Sequence, residues 1–174
     1  TGLYVNFLFL GLGFTLLESS AIVRLALLFG STWTINPIVF GAALSTIFLA
    51  NRGVLVNKAP SLAVAWPAVC ACVLVNYFLP ISWLLELPSA ARILACGTLI
   101  GAPIYFAAVC FSRLFQRQEV TGYPLGLNLV GAMAGGLIEY LSMLIGMRQV
   151  WLVVLAIYVL AWGSTVLIER RRPA

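Results

Sequence analysis

Six long apolar runs, parted by short polar or proline-marked breaks, leave this chain little choice of fold. They are Leu3–Phe29, Pro37–Ala50, Pro60–Leu79, Ala90–Phe115, Tyr123–Ile145 and Val150–Ile168. A helix needs roughly 20 apolar residues to cross the hydrocarbon core. Inside lipid, only helices and closed barrels satisfy every backbone polar group. Barrel strands are about ten residues long and alternate apolar with polar. Most of these runs are about twice that length and apolar on all sides, so the pattern predicts helices. The expected fold is all-α, a polytopic membrane helical bundle of about six transmembrane helices forming one domain over residues 1–174. The second run is short for a span, with Pro37 placed to open it. Pro103 lies inside the fourth, where a kink is expected.

Charge content agrees. Hydrophobic residues make up 63% of the chain, and only ten basic and five acidic residues are present. A water-facing domain of this length carries about a quarter of its residues charged, so the surface is expected to meet the lipid bilayer. No basic stretch is interleaved with aromatics, which argues against a nucleic-acid partner. The chain has no His, and Cys70, Cys72, Cys96 and Cys110 all fall within apolar runs without a C-x-x-C pair. Neither a metal site nor another cofactor is expected, and the cysteines read as small packing residues. The chain opens on Thr1 with no basic segment ahead of the first apolar run. That fits a processed chain, or one cut from something longer, better than a retained signal peptide.

Basic residues set the expected orientation. Arg52, Lys58, Arg113, Arg117, Arg170, Arg171 and Arg172 fall at or just after the ends of the second, fourth and sixth runs. The opposite loops hold only Arg92 and Arg148, with Arg24 near that side. The positive-inside bias puts both termini in the cytoplasm of a bacterial inner membrane. Trp33, Trp83 and Trp151 fall at the outer ends, as interfacial aromatics should. Ile81–Pro88 is too short to span and reads as an interfacial segment or a plain loop at the outer face.

Ionisable residues inside a bilayer are costly and are functional candidates by default. Three stand out: Glu18 and Arg24 in the first helix, and Glu139 in the fifth. At about 1.5 Å per residue, Glu18 and Glu139 reach similar depth in helices running the same way. Arg24 lies six residues past Glu18, roughly 120° around the helix, so a bond from Arg24 to another helix is easier. The expected role is an intramembrane polar clasp of Glu18, Arg24 and Glu139, with Arg24 facing Glu139. A proton or substrate path through them, or carboxyls that keep their protons and pack, are the alternatives.

The fifth helix also carries small residues at helical spacing. Gly131 and Gly135 form G-x-x-x-G, and Asn128 extends the same side. Such faces let membrane helices approach closely, so this is the expected packing face. Gly11-Leu12-Gly13 is not a nucleotide-binding turn, because no strand precedes it and the third glycine is missing. No nucleophile elbow or P-loop is present. Asn6, Gly13 and Glu18 loosely echo Asn128, Gly135 and Glu139, as a parallel internal repeat would.

Two stretches carry a family resemblance. The first comprises Gly13-Phe14-Thr15-Leu16-Leu17-Glu18, Arg24 through Trp33, Asn36, Val39-Phe40 and Leu49-Ala50-Asn51. The second comprises Gly126-Leu127-Asn128-Leu129-Val130-Gly131 and Gly135 through Ser142. Both resemble the C-terminal membrane bundle of bacterial spermidine synthase-like proteins, in which a soluble aminopropyltransferase- or methyltransferase-like domain is fused to membrane helices. The family often has Glu-Thr-Lys where this chain has Glu18-Ser19-Ser20, and the soluble domain is absent from these residues. The resemblance implies a membrane domain of such an enzyme. The residues themselves, without a catalytic motif, predict a non-catalytic membrane module: an accessory or anchoring subunit packed against other membrane protein subunits. A small-molecule or proton transporter is the alternative.

Overall fold

The computed structural model describes residues 4–30 and 32–170. Thr1, Leu3, Ser31, Arg171 and Arg172, named above, lie outside the described residues. Eight helical segments follow one another: α1 (Val5–Phe29), α2 (Thr32–Leu55), α3 (Leu62–Phe78), α4 (Ile81–Leu85), α5 (Ser89–Phe115), α6 (Gly122–Glu139), α7 (Ser142–Ile145) and α8 (Met147–Arg170). No strand occurs among the described residues. The α1, α2, α5 and α8 segments and the stretch from Gly122 to Ile145 are long and apolar enough to cross a membrane. The sixth apolar helix, α3, has 17 residues. The chain is thus an all-helical bundle of the multi-pass membrane type.

Two expected boundaries move. The second helix does not open at Pro37 but begins at Thr32 and runs to Leu55, giving 24 residues instead of a short span. Proline so close to a helix start removes a single hydrogen bond, beside amides that have no intrahelical acceptor in any case. Asn51-Arg52-Gly53 does not stop the helix either. The reversal comes at Asn57, in the left-handed region at φ 55°, where the Lys58 and Ala59 amides both donate to the Gly53 carbonyl.

The fifth expected helix, Tyr123–Ile145, is interrupted after Glu139. The Tyr140 and Leu141 amides donate three residues back, to Leu137 and Ile138, so the ladder tightens before α7 begins. Gly146 then turns the chain into α8 with φ 86°. Glu139 therefore ends a helix rather than lying within one.

The helices alternate in direction. Gly135 of α6 meets Leu12 of α1 while Asn128 meets Phe7, so those two run parallel. Gly13 packs on Tyr158 and Arg24 lies over Trp151, so α8 runs antiparallel to α1. Asn76 meets Leu99 and Pro60 meets Arg113, so α3 and α5 are antiparallel. Val5 and the C-terminal part of α8 thus share one end, called here the near end, with Arg52, Lys58, Arg113 and Arg117. The short segments α4 and α7 lie at the opposite, far end.

The main core lies among α1, α3, α5 and α8, where Phe7, Leu16, Leu17, Trp66, Val69, Val73, Val109, Val154 and Tyr158 are buried. A smaller cluster joins Ala21 of α1 to α2 and α5 through Ile35, Val39, Ala43, Ile100 and Ile104. The α1–α6 contact is the most extensive of any helix pair. Glycine explains it: a methyl on Gly131 would overlap the Leu8 carbonyl, and one on Gly11 would overlap that of Asn128. At Gly135 it would lie 2.7 Å from the Leu12 carbonyl oxygen. Backbone meets backbone here, and the Asn128 amide adds a hydrogen bond to the Phe7 carbonyl at 3.2 Å.

Candidate functional site

Arginine at helix ends is the recurring polar device of this bundle. The last carbonyls of a helix have no intrahelical donor and form the negative end of its dipole, so cations belong there. A planar guanidinium can serve several such oxygens at once. Arg24 reaches from α1 to the end of α3, donating to the Asn76 Oδ1 at 2.6 Å, the Asn76 carbonyl at 2.8 Å and the Leu79 carbonyl at 2.8 Å. Its charge also lies 5.4 Å from the centre of the Trp151 ring. Arg148 serves the same helix end, donating to the Tyr77 carbonyl at 3.2 Å and lying over the Tyr77 ring at 4.8 Å. Arg92 donates to the carbonyls of Leu84, Leu85 and Leu87 and so ties down α4. At the near end, Arg113 donates to the Ala59 and Pro60 carbonyls ahead of α3.

This corrects the expected polar clasp. Arg24 is buried, at 8% exposure, but its hydrogen bonds go to α3 rather than to Glu139. The physical reason is the end of α3, which offers Arg24 two orphan carbonyls and an amide oxygen at the right depth. Glu139 is half-buried and has no hydrogen-bond or ion-pair partner among the described residues. Glu18 is also half-buried, stands apart from the cavity described below and takes no bond from Arg24.

Asn76 is the residue that sequence reasoning misses. It is 1% exposed and joins three helices. Its Oδ1 accepts from Arg24 of α1, and its amide donates to Leu99 of α5 at 2.8 Å and back to Cys72 at 3.0 Å. An amide inside an otherwise apolar run was the available signal. The expected packing face of Asn128, Gly131 and Gly135 lies against α1, with both glycines buried.

Arg24 and Glu139 do share a space. A cavity of about 290 Å³ opens at the far end, where α1, α3 and α8 meet the break between α6 and α7. Its polar lining includes Ser19, Ser20, Arg24, Glu139, Ser142 and Arg148, and Tyr77 and Trp151 add aromatic walls. Among the described residues, no three His, Cys, Asp or Glu side chains stand together to hold a metal ion.

Comparison with protein-family models, curated proteins and solved structures finds no match to this chain.

Proposed function

We propose that this chain is a non-catalytic integral membrane module, an accessory or anchoring subunit of a larger membrane assembly. The observation that carries this reading is where the buried polar groups go. The buried polar side chains fall in two places, Arg24 with Asn76 towards the far end and Asn6 and Thr165 towards the near end, and Arg24, Asn76 and Thr165 bond to helix backbone. Asn6 accepts from the neighbouring Phe7 amide. Arg24 and Asn76 fasten α1, α3 and α5 together, Asn6 and Thr165 bond within their own helices, and the space between α1, α3, α5 and α8 is filled with apolar side chains. A conducting path requires polar groups in sequence through the bilayer. The α6 helix adds support, since it packs mainly on α1 and leaves Leu129, Met133 and Leu137 exposed on its outer side.

On this reading the near end, with Arg52, Lys58, Arg113 and Arg117, faces the cytoplasm of a bacterial inner membrane. Purification from the native membrane in mild detergent should bring a membrane protein partner in fixed stoichiometry. A clean monomer at every detergent concentration would overturn the reading.

Two further readings have specific support. The cavity joining Arg24, Arg148 and Glu139 favours a small-molecule or proton transporter, tested by flux into proteoliposomes. The resemblance to spermidine synthase-like membrane bundles favours a membrane domain of such an enzyme, and its two stretches meet where α1 packs on α6. Finding a synthase-like domain encoded in the same or a neighbouring reading frame would favour that reading.

A further inference from the structure

The far-end cavity holds two opposite charges that do not meet. Arg148 uses its Nε–H on the Tyr77 carbonyl, and its remaining four N–H groups have no partner among the described residues. Glu139 lies in the same cavity without a cation, at a helix C-terminus where the dipole disfavours a carboxylate. A guanidinium and a carboxylate that line one cavity and leave each other unpaired are complementary to a ligand carrying both charges.

The surroundings narrow its chemistry. Arg24 adds a second guanidinium with donor capacity to spare, since three of its bonds are used and Nε–H is not among the donors. Two guanidinium groups with the hydroxyls of Ser19, Ser20 and Ser142 suit the oxygens of a phosphate. Glu139 suits an ammonium bearing N–H donors. Leu27, Ile81 and Val150 give the same cavity an apolar wall, and it lies at the end of the bundle, at the depth where a lipid headgroup meets its acyl chains.

We infer that this cavity is a phospholipid site selective for a phosphoethanolamine headgroup, with the phosphate on Arg148 and Arg24 and the ammonium on Glu139. This goes beyond the proposed anchoring role and stands apart from the presence of a protein partner.

The test is lipid competition on the purified full chain, read by native mass spectrometry of retained lipid. Phosphatidylethanolamine, phosphatidylglycerol and phosphatidylcholine of matched acyl chains are the probes. Phosphatidylethanolamine should be retained about tenfold over phosphatidylglycerol, the ratio that one charge-assisted hydrogen bond supports. It should also exceed phosphatidylcholine, whose quaternary ammonium has no N–H donor. Glu139→Gln should bring the ethanolamine and glycerol lipids close to parity, and Arg148→Gln should weaken retention of both. Equal retention of the three lipids by the unaltered chain overturns the inference, as does unchanged selectivity in a folded Glu139→Gln. If either variant fails to fold, the comparison on the unaltered chain still decides. Soluble phosphoethanolamine competing as well as the lipid would overturn the assignment to a phospholipid. Preferential binding of a free amino acid would overturn the phosphate assignment.

Discussion

Arg24 donates to both the side-chain oxygen and the main-chain carbonyl of Asn76, at 2.6 and 2.8 Å. One guanidinium on α1 thereby closes the end of α3, and Asn76 passes the connection on to the Leu99 carbonyl of α5. A carboxylate partner would have neutralised Arg24 without fixing where α3 ends. The carbonyl partners leave the charge in place, but they solvate it and fix that end.

The geometry of that contact predicts that charge alone will not replace it. Lysine is a compact point charge and cannot fork between Asn76 and Leu79 as a guanidinium does. Arg24→Lys should therefore lose most of what Arg24→Leu loses, about 1–3 kcal/mol, because buried carbonyls are left without donors. Thermal unfolding in one fixed detergent checks this; full stability in Arg24→Lys would show that only the charge matters.

Glycines on α6 should divide sharply by face. Gly131→Ala puts a methyl into the Leu8 carbonyl, whereas a methyl on Gly136 meets nothing within 4 Å. Gly131→Ala should cost about 1–3 kcal/mol as α1 and α6 are forced apart. Gly136→Ala should be neutral or stabilising by up to about 1 kcal/mol, since alanine favours the helix. Equal melting temperatures for the two variants would mean that α1 and α6 are not packed backbone to backbone.

Arg92 should hold α4 locally. Its three bonds to Leu84, Leu85 and Leu87 are the main polar ties of that short helix. Arg92→Ala should speed amide hydrogen exchange over residues 81–87 while exchange in α1 and α8 stays unchanged. Uniform acceleration across the bundle would make Arg92 a global rather than a local support.

Topology reporters placed after Lys58 and after Arg117 should both read cytoplasmic, because those positions lie at the near end with the basic residues. A reporter after Glu86 should read external. A cytoplasmic signal after Glu86 would contradict both the alternation of helices and the assigned orientation.

Much of this architecture is legible in the sequence because lipid imposes simple rules. Apolar length marks the helices, and the glycine spacing of α6 marks a face that can approach a neighbour. Boundaries are harder: Pro37 and Asn51-Arg52-Gly53 are local stop signals, yet α2 runs through all of them because the bundle needs the full span. The break after Glu139 was hidden because Tyr140, Leu141 and Ser142 suit a helix as well as a turn. The depth of Arg24 is readable and its partner is not. Sequence rules pair charge with charge, whereas the strongest acceptors at that depth are carbonyls at the end of α3, invisible until its last turn is placed.

Arg24 is a structural tie to Asn76 rather than half of an ion pair with Glu139. The most direct measurement is a pair of double-mutant cycles in thermal unfolding, Arg24→Leu with Asn76→Leu and Arg24→Leu with Glu139→Gln. The first should show coupling of about 0.5–2 kcal/mol, the range for polar contacts between membrane helices. The second should be additive within about 0.5 kcal/mol. Strong coupling of Arg24 to Glu139 with none to Asn76 would make Arg24 half of an ion pair instead.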